Sequence, residues 1–247
     1  MRLALVISYC FLFSACVHVK VSDVKVQQDT LAKLPGGKEK LTDSVKNDLA
    51  DDIATLVRSG FYDEDETLDQ ISDMYTDFEL DQTWVKKQID SDYTSRLKQQ
   101  LAWPATTDFD RLAAVFDKLN AQGIIAFHNA GPTREDGEEL CKDLADTLKA
   151  QGAKTRGYCF YHWQDIEGAL ESKNLYIAFG DYNRDDKGTI AIGNIVVKTL
   201  QAYGFNILWN GSPGKRIEIL KFAWQKRFGN ANCSYERAVA LLKKAAG

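Results

Sequence analysis

The residues best suited to catalysis stand where predicted strands end. In "RGYCFYHWQDIEGAL" (156–170), His162 closes an apolar strand and Asp165 falls in the first turn of the helix that follows. Histidine is the commonest general base near neutral pH, and an aspartate can orient its ring. His128 closes a second apolar run, "IIAFH". If the two strands are parallel neighbours, both imidazoles reach one sheet edge and form a candidate catalytic pair beside Asp165.

A structural interpretation of the same residues competes with this one. Asp165 favours a helix N-terminus through the helix dipole, and each histidine ring can bond a backbone carbonyl. Cys159 lies in mid-strand between aromatic residues, where apolar surroundings raise the pKa of a thiol and make it inert. The sequence therefore offers His128, His162 and Asp165 as catalytic candidates without a recognisable nucleophile.

Further polar residues follow the ends of other predicted strands, namely Asn129, Asp181 and Asn210. Open α/β sheets bind ligands at the carboxyl ends of their strands, so we expect these side chains to line the same rim as the two histidines. Lys215 and Arg216 could hold an anion, although "GSPGKR" has two residues between its glycines where a Walker loop has four. These five residues are the candidate ligand-binding set.

The loop "DYNRDDKGTIAI" has only part of a calcium-binding pattern. Asp181, Asn183 and Asp185 occupy the alternating ligand positions, but Asp186 replaces the glycine of the turn and Ile192 replaces the bidentate glutamate. No two cysteines have the spacing of a zinc knuckle. The sequence predicts neither a metal nor a cofactor.

The charge balance narrows the classes of partner. The chain has 247 residues, 45% of them hydrophobic, and a net charge of −4, which argues against general nucleic-acid binding. Residues 48–92 hold 14 acidic and 3 basic residues, whereas residues 215–244 hold 8 basic and 2 acidic ones. These are either two solvated faces that attract each other or one polarised surface for a charged partner.

The N-terminus has the pattern of an export signal. Residues 3–13 form an apolar run behind Arg2, too short to span a bilayer but typical of a signal peptide. "FSAC" resembles the bacterial lipobox, with Phe13 where leucine is usual and with Cys16 as the residue that would carry lipid. This predicts a membrane anchor and a periplasm-facing location in the cell envelope. The alternatives are a buried N-terminal strand, since valines alternate at 17, 19 and 21, and a cytosolic protein.

The rest of the chain divides by composition. Residues 17–40 form a polar tether, and residues 41–103 form an acidic segment of three amphipathic helices that ends before Pro104. Helices and strands then alternate over residues 104–228, which predicts an α/β core with a mixed sheet of about five strands and a closing β-hairpin. A basic helix within residues 229–247, capped by Ser234, ends the chain. Cys141, Cys159 and Cys233 are expected as three buried thiols, with one disulfide between two of them as the alternative.

Several segments together carry a family resemblance. They are "LVRSGFYDEDE", "TDFDRLAAVFDKLNAQGIIAFHNAG", "RGYCFYHWQDIEGAL", "LYIAFGDY", "WNGSPGKRIEI" and "FAWQKR". They are similar to a bacterial family known only as a domain of unknown function, numbered six-eight-nine-one, over about residues 49–228. The resemblance implies one integral domain that includes the acidic helices, and it brings no activity, ligand or catalytic residue.

The sequence as a whole favours an exported lipoprotein that acts by binding a protein partner or a small polar ligand. No recognisable nucleophile–base pair, metal spacing or cofactor loop favours catalysis. The alternative is a hydrolytic enzyme with a strand-end site around His128 and His162. The two hypotheses differ in whether those imidazoles share one open pocket.

Overall fold

A computed structural model of the protein describes residues 37–183 and 185–246. The predicted signal peptide, the lipid site at Cys16 and the tether up to residue 36 lie outside the described residues. The described part of the chain contains the acidic helical segment, the α/β core and the C-terminal helix.

The acidic helical segment is built from strand β1 (Glu39–Lys40), helix α1 (Asp43–Ser59), helix α2 (Glu64–Met74), strand β2 (Phe78–Glu79) and helix α3 (Gln82–Gln100). Its helix boundaries follow from capping. Asp63 and Glu66 exchange hydrogen bonds of 2.8 Å with each other's backbone, a capping box that starts α2. The sequence missed the two short strands, which pair in parallel, so the last two residues of the predicted tether belong to this small sheet.

The core alternates helices and strands. Its elements are α4 (Asp108–Asn120), β3 (Ile124–Phe127), α5 (Arg134–Ala150), β4 (Gly157–Phe160), α6 (Trp163–Ser172), β5 (Leu175–Gly180), α7 (Asp186–Ala202), β6 (Asn206–Leu208), β7 (Ile217–Leu220) and α8 (Tyr235–Ala246). The five strands β3 to β7 form one mixed sheet, which confirms the predicted α/β class. β6 and β7 form the predicted hairpin.

The strand order is β3-β4-β5-β7-β6. β3 and β4 run parallel, and every other neighbouring pair is antiparallel. The connection through α6 therefore reverses the chain between β4 and β5 instead of carrying it across the sheet. Consequently the carboxyl end of β5 lies at the opposite end of the sheet from those of β3 and β4.

Helices cover the two faces of the sheet unequally. On the first face, side chains from every strand of the sheet pack in one cluster with α4, α6 and α7. On the second face, α5 and α8 pack over Ile125, Phe127, Phe160 and Ala178. Ile217 and Ile219 point to the first face, so Arg216 before them and Glu218 between them point to the second. Beyond β5 the second face has no helix over it among the described residues.

The acidic helical segment shares buried contacts with the core. The Arg96 guanidinium donates to the carbonyls of Arg58 at 2.8 Å and Trp224 at 3.1 Å. The Trp224 indole donates to the Ser59 carbonyl, and the buried Lys226 ammonium donates to the Gly60 carbonyl at 2.6 Å. The turn after α1 is thus held by the chain that follows β7. Among the described residues, no helix has both the length and the apolar character to cross a bilayer.

Two glycines in helices predict opposite responses to alanine. A Cβ at Gly137, in α5, would overlap the buried ring of Phe160, with two ring atoms at 2.7 Å. Gly168, in α6, has nothing within 4 Å of that position. We expect Gly137→Ala to lower the free energy of unfolding by about 1–3 kcal/mol through overpacking, and Gly168→Ala to raise it by about 0.5–1 kcal/mol. Urea denaturation of both variants measures this, and changes of the same sign would contradict it.

Candidate functional site

The polar cluster at the carboxyl end of β4 joins three elements. The Nε2 atom of His162 lies 3.1 Å from Oδ2 of Asp165 in α6, and Oδ1 of Asp165 lies 2.5 Å from Nη1 of Arg216, which precedes β7. The Asp165 side chain also accepts the backbone N–H of His162 at 3.1 Å. The carboxylate is therefore held by an imidazole, a guanidinium and a helix-start amide.

The cluster continues across the second face of the sheet. The Arg216 guanidinium lies over the ring of Tyr176, 4.7 Å from its centroid. Oε1 of Glu218 accepts from the Tyr176 hydroxyl at 3.1 Å and from the Asn174 amide at 2.9 Å. These contacts fix an aromatic ring, a cation and a carboxylate on the part of the sheet that no described helix covers.

Burial has the largest effect on the pKa values of His162 and Asp165. It lowers the pKa of His162, against the opposing effect of Asp165. It raises the pKa of Asp165, against the opposing effects of His162 and Arg216. His162 is accordingly neutral near pH 7, and its Nδ1 is buried without a hydrogen-bond partner among the described residues.

His128 lies in a different environment. Its Nδ1 is 2.9 Å from the buried Tyr161 hydroxyl, and its Nε2 is buried without a partner among the described residues. The ring packs against Phe109 and Phe116, with centroids 5.5 and 4.4 Å away. Burial and the charge of Lys226 lower the pKa of His128 to about 3. His128 is therefore neutral at pH 7, and its ring nitrogens are shielded although the residue is half-buried and lines a small pocket with Phe116 and Cys233.

The structure does not bring the two histidines together. Phe127 and Phe160 lie side by side in register and pack in the second-face cluster. His128 follows Phe127 and turns to the first face, where it meets Tyr161. His162 follows one residue after Tyr161 and faces the charges of α5. Because side chains alternate along a strand, the two imidazoles project to opposite faces, and the expected shared pocket does not form.

The other candidate residues are also dispersed. The side chain of Asn129, which has a left-handed φ of 48°, bonds the Tyr62 hydroxyl beside His128. Asp181 was expected on the same rim, which is wrong because β5 runs antiparallel to β4; its carboxylate accepts instead from Thr189 at 3.1 Å. Asn210 accepts the Ser212 amide within the hairpin turn at 3.0 Å.

Lys215 and Arg216 also separate. The Lys215 carbonyl accepts from the Trp209 indole at 3.1 Å, which closes the hairpin turn, and its side chain is exposed. Arg216 leaves the turn for the Asp165 carboxylate. The two cations therefore do not form the joint anion site that their spacing suggested.

The cysteines agree with their sequence interpretation in part. Cys141 and Cys159 are buried free thiols, and Cys233 is a half-buried one. Burial raises the pKa of Cys159. Within the described ranges, no three His, Cys, Asp or Glu side chains come together as a metal site.

Ion pairs show which acidic residues the basic residues near the C-terminus contact. The C-terminal arginines pair with the core: Arg216 with Asp165, Arg227 with Asp110 at 3.2 Å and Arg237 with Asp117 at 2.7 Å. In the described part of the chain, none of the ion pairs joins these bases to the acidic segment. That segment keeps its excess of negative charge on the surface.

The sequence missed Tyr176, Glu218 and Lys226 as members of polar clusters. A signal for Glu218 was present, because the alternation in "RIEIL" puts it on the same side as Arg216 and opposite two isoleucines. Lys226 had no such signal. Its burial depends on the distant carbonyl of Gly60, and its ammonium lies 4.7 Å from the Phe61 ring centroid.

Acid is expected to destabilise the fold through His128. The unfolded histidine titrates near 6.5 and the folded one at about 3, so between these values only the unfolded state binds the proton. The free energy of unfolding should then fall by about 1.4 kcal/mol per pH unit below 6.5. The depressed pKa of His162 acts in the same direction. Urea midpoints at pH 6.5 and 5 measure the effect, which should be about 2 kcal/mol smaller in His128→Gln. Equal pH dependence in the two proteins would contradict it.

Comparison with known proteins identifies the family of the chain. A family described as Domain of unknown function (DUF6891) has a model that matches residues 42–228. The match covers α1 through the segment after β7, and it confirms the family resemblance seen in the sequence. No curated protein and no solved structure matches this chain.

Proposed function

The chain belongs to the DUF6891 family, and since that description assigns no activity, we propose from this structure that it is an exported bacterial lipoprotein that binds a protein partner. The binding surface is the second face of β5, β7 and β6, which we call the open half-face and define by Tyr176, Leu208, Arg216 and Glu218. The lipid anchor is Cys16.

The half-covered sheet is the observation that supports this proposal. α5 and α8 pack over the second face only as far as Ala178 of β5. Leu208 is 58% exposed, and Tyr176, Arg216 and Glu218 are partly exposed. Tyrosine and arginine are enriched among the residues that dominate protein–protein binding energy. An open stretch of sheet is broad, which suits a protein surface better than a small ligand.

The burial of the catalytic candidates favours binding over hydrolysis. His162 and Asp165 are buried, and both ring nitrogens of His128 point into protein. A general base must come within about 3 Å of the proton that it removes. Two shielded imidazoles on opposite faces of a sheet are poorly placed for that task, whereas the guanidinium and phenol of the open half-face are fixed and accessible.

Site-specific photo-crosslinking in cells tests the binding surface. A photoreactive phenylalanine analogue in place of Tyr176 should give an adduct with a discrete second protein. The matched control carries the same analogue at Leu101, which is 88% exposed at the end of α3, away from the open half-face. Adducts of equal yield from both positions, or a membrane lipid as the sole adduct at Tyr176, would contradict the proposal.

Metabolic labelling with a clickable fatty acid tests the anchor. The apolar run of residues 3–13 and the small residues before Cys16 support lipidation. We expect the wild-type chain to be labelled and recovered with membranes, and Cys16→Ser to lose the label. Recovery of an unlabelled wild-type chain with Met1 intact in the cytosolic fraction would favour the alternative of a cytosolic protein.

A further inference from the structure

The two edge strands of the sheet differ in how their outward backbone groups are hydrogen-bonded. β3 forms one edge, and its outward backbone groups are occupied by a side chain. The buried Asn120 amide donates to the Ala126 carbonyl at 3.0 Å, and the Asn120 oxygen accepts the Ala126 N–H at 2.9 Å. One asparagine thus occupies both outward backbone groups of Ala126, in the middle of the edge strand. Proteins commonly block free edges because unpaired backbone groups recruit other strands.

β6 forms the other edge and has no such cover. It pairs with β7 on one side, and no other described group bonds the backbone of residues 206–208. Natural edges are protected by very short strands, by lysine, other charges or proline within the strand, or by a covering helix or loop. Here no charged residue occurs between Lys198 and Lys215, and the nearest proline, Pro213, lies in the turn. Leu208 is 58% exposed beside this edge. Of these protections β6 has only its short length of three residues: it carries no charge and no proline, and its outer side has no partner among the described residues.

We propose that two copies of this chain associate through their β6 edges and form one continuous ten-stranded sheet. A two-fold axis through Ile207 makes the two strands antiparallel. It sets Ile207 opposite its own copy and Asn206 opposite Leu208 of the other copy. Such an interface limits the assembly to a dimer, because both copies use the same β6 edge and no free β6 edge remains for a third copy.

The side-chain pattern of β6 suits a second copy better than an unrelated strand. Ile207 packs on the first-face cluster, so a pair of Ile207 side chains across the axis joins the two cores. β-Branched pairs across antiparallel strands are stabilising. Asn206 and Leu208 lie on the second face with no charge to oppose each other. The association does not depend on the proposed partner at the open half-face, although it would place two such half-faces side by side.

Native mass spectrometry of the detergent-solubilised full-length chain tests the association. We expect a dimer in the wild-type protein at micromolar concentration. Leu208→Lys, which introduces the charge that protected edges carry, should raise the dissociation constant roughly ten-fold or more. Leu101→Lys makes the same change at a more exposed leucine on α3 and should leave the dissociation constant unchanged. Circular dichroism of both variants verifies folding. A monomeric wild-type chain, or equal effects of the two variants, would overturn the proposal.

Disulfide trapping tests the register independently of Leu208→Lys. Under a mild oxidant, a mixture of Asn206→Cys and Leu208→Cys chains should form a mixed disulfide dimer. Facing residues in an antiparallel pair have Cα atoms about 4.5–5.5 Å apart, within the range that a disulfide spans. Neither variant alone should link position 206 to 206 or 208 to 208. Cross-linking of one variant with itself at the introduced cysteine, or none in the mixture, would overturn the β6 pairing.

Discussion

Phe179→Ala is expected to lower the free energy of unfolding by roughly 3–5 kcal/mol, as truncation of a buried phenylalanine does. Phe179 is a buried residue of β5 that points into the first-face cluster. Its ring meets the Trp209 ring edge to face at 5.3 Å, and both rings pack directly against Gly193 of α7. Since whole domains are stable by about 5–15 kcal/mol, the variant should unfold at a far lower urea concentration.

A matched truncation separates this loss from a general effect of alanine. Leu101→Ala removes an apolar side chain that is 88% exposed, and such surface changes usually stay within about 0.5 kcal/mol. Both variants are measured by urea denaturation followed by circular dichroism. If Phe179→Ala melted like the parent protein, the placement of β5 against α7 would be wrong.

Arg216→Met is expected to lower the free energy of unfolding by about 3–5 kcal/mol because it leaves the buried Asp165 carboxylate without its cationic partner. The Asp165 side chain is 3% exposed, whereas that of Arg216 is 34% exposed. The carboxylate cannot return to water when the guanidinium is removed. Arg216, in contrast, can turn toward solvent when the carboxylate is neutralised, so Asp165→Asn should cost much less.

The double variant and the pH dependence verify that mechanism. Adding Asp165→Asn to Arg216→Met should recover part of the lost stability, because the stranded charge is gone. Lowering the pH should reduce the difference in free energy of unfolding between Arg216→Met and the parent protein. Without the guanidinium, the pKa of Asp165 in the folded protein rises further above its value in the unfolded chain. At a pH below both of these pKa values the carboxyl is protonated in both states, so the free-energy cost of the unpaired charge disappears. The mechanism would be contradicted by a double variant that is less stable than Arg216→Met, together with a stability difference between Arg216→Met and the parent that does not change with pH.

The sequence predicted the elements of this fold well, because each has a local cause. The capping pair Asp63 and Glu66 predicted the start of α2, and the apolar run "IIAF" predicted β3. The direction of β5 has no such cause. The same ten-residue helix between β4 and β5 could lead to a parallel or an antiparallel strand, and the direction shows only in the tertiary pairing of β5 with β4 and β7.

The candidate site was predicted less well for the same reason. His128 and His162 were correctly placed at strand ends, but the face to which each ring turns depends on the register of Phe127 with Phe160. The partner of Asp165 was the histidine three residues earlier, as its position in the helix suggested. Its second partner, Arg216, lies 51 residues away and is brought in by the hairpin.

The pairing of β1 with β2 determines how far the domain can stand from a membrane. If Cys16 carries the lipid, 22 residues, 17 to 38, separate it from Glu39, the first described residue that pairs with β2. Fully extended, that length spans at most about 75 Å. The attachment point is the acidic segment, so its excess negative charge lies nearest the tether, and anionic lipid headgroups would repel it. If Cys16 is the anchor, the tether keeps the domain within that distance of the bilayer, and a partner for the proposed open half-face would have to lie within the same layer.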